Sequence, residues 1–192
     1  YHFQFPQWVW VRPNERTRLI LDEAERQAGG PLPLSLRAWY EVVGGVNLVG
    51  SHPWLATYYD YDRESEYQLS SYSDPLEVDL YLDESTGKLE IFDFEEFGGD
   101  DELEEANPDH PRYVLEIGAD EFHKAGVSGG GPYYILFPDP RIDAPLHGDV
   151  DYGYFVEYLR ECFRWGGFPG IRNSISKPEE LLAFLTRDLL PF

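Results

Sequence analysis

The sequence predicts an α+β fold in which a central, mainly antiparallel sheet is flanked by about four helices. Apolar residues recur with helical spacing towards both ends of the chain, and they alternate or cluster as in strands across its middle. The strand-like segments lack the regular β-α-β alternation that builds parallel sheets. The chain has 192 residues, of which 42% are hydrophobic. This is enough for one sizeable core, and we expect a single domain over residues 1–192.

Two helices are predicted before residue 46. Asn14 can cap a first helix that runs to Gln27, because its side chain can accept a hydrogen bond from a free N–H group of the first turn. Gly29-Gly30 would end this helix. Pro33 is placed to open a second helix, which Gly44-Gly45 would end. The predicted core face of the second helix consists of Leu36, Trp39, Tyr40 and Val43.

A hairpin is predicted after a segment of unclear periodicity. Residues 46–73 indicate a loop with one or two short strands. From Leu76 to Leu82 apolar residues alternate with Glu77, Asp79 and Tyr81, which predicts a strand with one solvated face. Asp83 to Gly87 would turn the chain into a partner strand at 88–94.

The second half of the chain adds strands and then helices. Strands are predicted at 113–117 and 133–137, with a short helix at 120–124 between them. Apolar residues at helical spacing predict a long helix over 151–165, closed by glycines. A capping box that begins at Ser176 predicts a C-terminal helix.

The net charge limits the partners that the chain can bind. Fifteen basic and 36 acidic residues give a formal charge of -21 at pH 7. Such a charge repels nucleic-acid phosphates and anionic membrane surfaces, so we expect no direct contact with nucleic acid or membrane. No run approaches the roughly 18 apolar residues of a membrane span, and neither a signal peptide nor a membrane anchor is expected.

The sulfur-containing residues indicate the cellular compartment in which the chain folds. The single cysteine, Cys162, cannot form an internal disulfide, which favours a reducing, cytoplasmic environment. The helix predicted around it makes a buried, unreactive thiol the expected state. The chain has no methionine, and we expect the numbered sequence to begin inside the natural gene product or after processing.

The acidic surplus is concentrated between Asp60 and Glu105. This stretch holds 18 carboxylates and only two basic residues, a net charge of -16. Two interpretations remain open, a solubilising surface and a docking face for a basic protein. Tyrosines at its start could anchor Arg and Lys side chains, or they could cover a sheet edge. The predicted partner-binding residues are Tyr58, Tyr59, Asp60, Tyr61, Asp62, Glu95, Glu96, Asp100, Asp101, Glu102, Glu104 and Glu105.

Two motifs raise the possibility of catalysis. Residues 126–130 match the G-x-S-x-G pattern around Ser128, but a helix is predicted before the motif and a strand after it, the reverse of a nucleophile elbow. A glycine-rich turn is the favoured interpretation. His147, Asp149 and Asp151 could bind a divalent cation, or they could belong to ordinary helix-capping chemistry. We therefore predict no catalytic residue, no metal and no cofactor.

Several segments resemble the SUKH superfamily, which includes bacterial immunity proteins and fungal cell-wall synthesis regulators. Its signature is a Leu-Pro pair, an aromatic residue and a Gly-Gly pair, and here residues 32–40 followed by Gly44-Gly45 are similar to it. Further blocks resemble a bacterial subgroup and lie at 120–124, 128–133, 155–160 and 163–170. The resemblance covers about 14–170, and 171–192 would form a C-terminal helical extension.

The resemblance implies an α+β fold with helices around a central sheet, no enzymatic activity and, for many bacterial members, neutralisation of a toxin by direct binding. The motif residues are structural, since they start a helix, anchor it and end it: Pro33, Trp39, Gly44 and Gly45. The favoured hypothesis is an immunity protein that occludes a basic toxin. The alternatives are a regulatory scaffold for an endogenous partner and a weak hydrolase or metal-dependent enzyme.

Overall fold

The computed structural model describes residues 2–3, 6–51, 73–94, 97, 113–126, 130–148, 152–173 and 179–189. These residues confirm the predicted α+β class. They contain five α-helices: α1 (Glu15–Ala28), α2 (Leu34–Val42), α3 (Glu121–Lys124), α4 (Phe155–Arg164) and α5 (Glu179–Thr186). They also contain eight strands: β1 (His2–Phe3), β2 (Trp10–Val11), β3 (Gly45–Asn47), β4 (Gly50–Ser51), β5 (Glu77–Val78), β6 (Phe92–Asp93), β7 (Tyr113–Gly118) and β8 (Tyr133–Phe137).

Every strand pair in the described residues is antiparallel. The strands form two three-stranded sheets, in the orders β2-β3-β5 and β6-β7-β8, and one pair, β1-β4. The Asp79 N–H donates to the Ile117 carbonyl at 3.0 Å, which brings the chain after β5 beside β7. The two larger sheets therefore adjoin each other.

Helix α1 begins and ends where its local sequence predicts. The Asn14 Oδ1 accepts from the Arg16 N–H at 2.9 Å, and the Asn14 N–H donates to Thr17 Oγ1 at 3.1 Å. At the other end Gly29 adopts a φ of 74°, the left-handed conformation that favours glycine and ends helices. Both boundaries follow from contacts within a few residues.

The predicted hairpin is present but contains little regular strand. Leu82 and Leu89 form an antiparallel bridge, and the Asp83 Oδ1 accepts from the N–H groups of Ser85 and Thr86 in the turn between them. The predicted strand over 88–94 is reduced to β6.

The solvated face predicted for residues 76–82 is wrong at Glu77. The side chain of Glu77 is buried, and its carboxylate accepts from Asn47 Nδ2 at 2.7 Å and from the Ala119 N–H at 2.9 Å. The groups that meet this carboxylate come from segments distant in the sequence, since Asn47 belongs to β3 and Ala119 follows β7. Alternation along one strand cannot reveal what its two neighbours cover.

Helix α4 starts at Phe155, later than the predicted residue 151, because Tyr154 is extended and forms a bridge with Pro145. Helix α5 confirms the predicted C-terminal helix, and residues 176–178 of the predicted capping box lie outside the described residues. Leu181 of α5 packs with Phe168 and Ile171 in a small separate cluster. The main core joins α1, α2, α4 and both larger sheets through residues such as Leu21, Leu36, Val78, Leu115, Ile135 and Phe155.

Candidate functional site

The residues predicted to bind a partner all fall within 52–72, 95–96 and 98–112, which lie outside the described residues. Their role as a docking face stays a prediction. Ser128, Asp149 and Asp151 also lie outside the described residues. Of the three residues considered as metal ligands only His147 is described, and its ring stacks on Tyr134 with 5.3 Å between ring centroids.

Seven carboxylates of the acidic stretch are described, and three of them are buried or half-buried. Asp74 and Glu77 are buried, and the half-buried Asp79 accepts from the Leu80 N–H at 2.8 Å. Burial raises the pKa of Glu77 and that of Asp79. The other four described carboxylates are Asp83, Glu84, Glu90 and Asp93. The charge counted along the sequence therefore overstates the charge that a partner could meet.

An exposed apolar stripe runs along the outer side of α2. Leu34 is 59% exposed, Val42 is 75% exposed, and Ala38 between them is also exposed. These residues recur at every fourth position, so they lie on one face of the helix. Over its nine residues the helix is about 13 Å long, which gives the length of the stripe.

Two neighbouring segments extend this stripe at both ends of α2. The Ser35 N–H donates to the Ile142 carbonyl at 2.8 Å, which places the 75% exposed Ile142 beside the first turn. The Trp10 indole N–H donates to the Val43 carbonyl at 2.8 Å, which places the 53% exposed indole at the last turn. We call Trp10, Leu34, Ala38, Val42 and Ile142 the α2 face.

The inner side of α2 fixes this face in position. Leu36, Trp39 and Tyr40 are buried, and the Trp39 ring meets the Phe155 ring edge-on with 6.2 Å between centroids. The Tyr40 hydroxyl donates to the Asp79 carbonyl at 2.9 Å. A helix held by core packing and by a hydrogen bond presents its outer side chains with a defined geometry.

Basic groups around the α2 face are mostly paired with carboxylates. Arg37 Nη2 lies 2.6 Å from an Asp22 oxygen and 2.9 Å from a Glu41 oxygen, and Nη1 contacts Glu25. These ion pairs also tie α2 to α1. The cation of Arg12 lies 4.5 Å from the centroid of the Trp10 ring and covers part of that indole. The rim of the α2 face is consequently polar and close to neutral.

The helical pattern predicted the core-facing side of α2, but the exposed apolar stripe on its outer side was not predicted. The signal was present, since Leu34, Ala38 and Val42 repeat at i, i+4 and i+8 opposite the core residues. A helix that is apolar on both sides is expected to be covered on both sides. Among the residues that the structure describes, only those on the inner side are packed.

A cleft beside the start of α1 does not suit a small apolar ligand. A cleft of about 290 Å³ lies between the start of α1 and the end of α2, lined by Asn14, Glu15, Thr17, Arg18 and Glu41. Asn14 and Thr17 are already engaged in the helix cap, and Arg18 lies 3.6 Å from Glu41. Binding pockets for small molecules are lined mainly by apolar side chains, and this cleft is not.

The cysteine lies where the helical pattern predicted. Cys162 of α4 is completely buried, and burial raises the pKa of its thiol well above the usual range. Both conditions disfavour the reactive thiolate. Among the described residues, no group of three or more His, Cys, Asp or Glu side chains is arranged to hold a metal ion.

Comparison with known proteins adds no relative. No protein-family model, curated protein or solved structure matches the chain. The resemblance to the SUKH superfamily therefore stays a prediction from the sequence blocks. In the described part of the chain, every helix is too short or too polar to cross a bilayer.

Proposed function

We propose that this chain is a non-catalytic protein-binding module and that the α2 face is part of its binding surface. The observation that carries the proposal is the exposed stripe of Leu34, Ala38 and Val42 on a helix whose opposite side is locked into the core. Contiguous apolar patches are kept small on monomeric proteins, and larger ones mark interaction sites. Trp10 adds an aromatic residue of the kind that often dominates binding energy.

The partner that fits this surface is a basic protein. The net charge of -21 attracts positively charged proteins from a distance, and the near-neutral rim lets an apolar patch close over the α2 face. The most specific form of the proposal is a cytoplasmic immunity protein that neutralises a cognate basic toxin. This step is supported by the SUKH resemblance of residues 32–45 and by the acidic surplus.

A paired substitution tests the α2 face. The bait is the full chain, used to capture proteins from the lysate and secretome of its native host at low and high salt, with mass spectrometry as the readout. Val42→Glu places a charge in the stripe, whereas Phe184→Glu makes the same change at an exposed apolar residue of α5. Both residues are exposed, so each substitution should change stability by less than about 0.5 kcal/mol.

We expect the wild type and Phe184→Glu to capture a basic protein. The amount captured by Val42→Glu should be lower by at least about tenfold, because an interface hot spot contributes roughly 2 kcal/mol or more. Equal capture by both variants would remove the α2 face from the binding surface. Recovery of small anionic ligands without any protein would overturn the binding-module proposal.

A further inference from the structure

The core holds a lysine in direct contact with an aspartate. Lys124 Nζ lies 2.7 Å from Asp74 Oδ1, and the two side chains are 0% and 3% exposed. Lys124 ends α3 and Asp74 precedes β5, so the fold brings together two residues that are 50 positions apart. Removing both charges from water is costly, and a buried ion pair is weak evidence for stability by itself.

Aromatic rings enclose this pair and exclude water from it. Lys124 Nζ lies 4.7 Å from the centroid of the Tyr133 ring and 5.9 Å from that of Tyr158. Cys162 and Tyr158 beside them are completely buried. The ammonium and carboxylate thus face each other in the interior, beside buried aromatic side chains.

One further donor reaches the carboxylate. The Tyr133 hydroxyl donates to Asp74 Oδ2 at 3.2 Å, so each carboxylate oxygen has its own hydrogen-bond donor. Burial raises the pKa of Tyr133, and the hydroxyl therefore keeps its proton and remains a donor. The Tyr133 hydroxyl on Oδ2 polarises the carboxyl carbon, and the Lys124 amine lies next to Oδ1.

The backbone at Asp74 is also unusual. With a φ of 44°, Asp74 is the one non-glycine residue in the described part of the chain that adopts a positive φ. Such a conformation persists only where surrounding contacts hold it. Pro75 follows, and its nitrogen carries no hydrogen, so Asp74 cannot dehydrate onto the next backbone nitrogen to form a succinimide.

We propose that Lys124 and Asp74 condense into an intramolecular amide between Nζ and Cγ, which would covalently join α3 to the segment before β5. The ammonium transfers one proton to the carboxylate, and the neutral amine then attacks Cγ. A C–N bond forms, a C–O bond breaks, and the hydroxyl group leaves with a second nitrogen proton as water. Charge and atoms balance without an oxidant, a reductant or another reactant.

Two features of the site favour this reaction over hydrolysis, and a third assists the addition of the amine. The reaction replaces two buried charges with a neutral amide, which removes the desolvation cost of the pair. The fold also holds amine and carboxyl in contact, which gives an intramolecular reaction a large effective concentration. The Tyr133 hydroxyl is placed to stabilise the oxygen that becomes negative when the amine adds.

The test is intact mass spectrometry of the purified full chain under denaturing conditions, before and after prolonged incubation of the folded protein. We expect a mass lower than the sequence mass by one water molecule. Trypsin should then fail to cleave after Lys124, and the peptide 64–88 should be found joined to 113–141. Of the three lysines of the chain, Lys124 should resist acylation after unfolding, while Lys88 and Lys177 react.

Matched variants locate the bond. Lys124→Arg keeps a positive charge that does not condense, and its mass should equal its own sequence mass. Lys88→Arg, at an exposed position, should still lack one water. A wild-type mass equal to the sequence mass after incubation, or a lost water that maps to other residues, would overturn the proposal. The wild-type measurement decides the question even if Lys124→Arg fails to fold.

Discussion

At the residue scale, buried carboxylates decide much of how this acidic chain packs. Glu77 accepts hydrogen bonds from Asn47, from Ala119 and from the Tyr81 side chain, and Lys124 lies close enough to lower its pKa. The desolvation of the buried carboxylate outweighs these contacts, so the pKa of Glu77 lies above its usual value of 4.5. The carboxylate connects three separate parts of the chain at the cost of an interior charge.

Glu77 predicts a measurable dependence of stability on pH. The folded state binds the Glu77 proton more tightly than the unfolded state does, because its pKa is raised on folding. The free energy of unfolding therefore falls as the pH rises above the usual value, until folded Glu77 is ionised. Glu77→Gln cannot titrate, so the variant should gain stability relative to the wild type as the pH rises from about 4.5 through the pKa of folded Glu77.

Urea unfolding of both proteins across this pH range provides the measurement. The difference between them isolates Glu77 from carboxylates with lowered pKa values, such as Glu23 and Asp83, which act in the opposite direction. Glu23 and Asp83 stabilise the fold above their usual pKa values, and this contribution is lost as the pH falls towards about 2. A difference that stays constant with pH would contradict the role given to Glu77.

At the element scale, α1 and α2 differ in the contacts that stabilise them. The boundaries of α1 follow from Asn14 and Gly29, which act through local contacts. Helix α2 starts at Pro33 without a side-chain cap and depends on its packing against the core and on the ion pairs of Arg37. The outer side of α2 is free to serve binding because its inner side supplies the stability.

Gly29 provides a test of how α1 ends. No neighbouring heavy atom would lie within 4 Å of a Cβ at Gly29, so Gly29→Ala should cost only the strain of its φ of 74°, about 1–2 kcal/mol. Gly131 has the same open surroundings without a left-handed φ. Gly131→Ala should therefore be neutral or stabilise by up to about 1 kcal/mol. Equal effects of the two variants in urea unfolding would mean that φ is not the cause.

At the scale of the whole molecule, the net charge of -21 is the feature expected to govern encounter with the proposed basic partner. Long-range attraction raises association rates and is screened by salt, whereas an apolar contact mainly sets the dissociation rate. The acidic stretch and the α2 face thus have different kinetic roles in the proposed complex.

The acidic stretch provides the corresponding prediction. Replacing Glu102, Glu104 and Glu105 with lysine should slow association with the captured basic protein by about tenfold at low salt, and it should flatten the salt dependence. Stopped-flow or surface-binding kinetics at several salt concentrations provide the measurement, with Val42→Glu as the variant that changes dissociation. An unchanged association rate would remove these three glutamates from the binding surface.

The sequence by itself determined the features that depend on near neighbours. The cap at Asn14, the stop at Gly29, the strand at 133–137 and the core side of α2 all follow from contacts or periodicities within one segment. Their physical causes act over a few residues, so reading the chain in order is sufficient to find them. The burial of Cys162 was predictable for the same reason.

Only the tertiary structure decided which polar and apolar groups end up inside. Glu77 was expected in solvent and is buried, because β3 and the chain after β7, both distant in the sequence, supply groups that meet its carboxylate. Leu34 and Val42 are apolar and exposed, because the core reaches one side of α2 alone. The contact between Lys124 and Asp74 has no local signature, since two segments far apart in sequence create it. Burial is a property of the assembled neighbours, which no single segment contains.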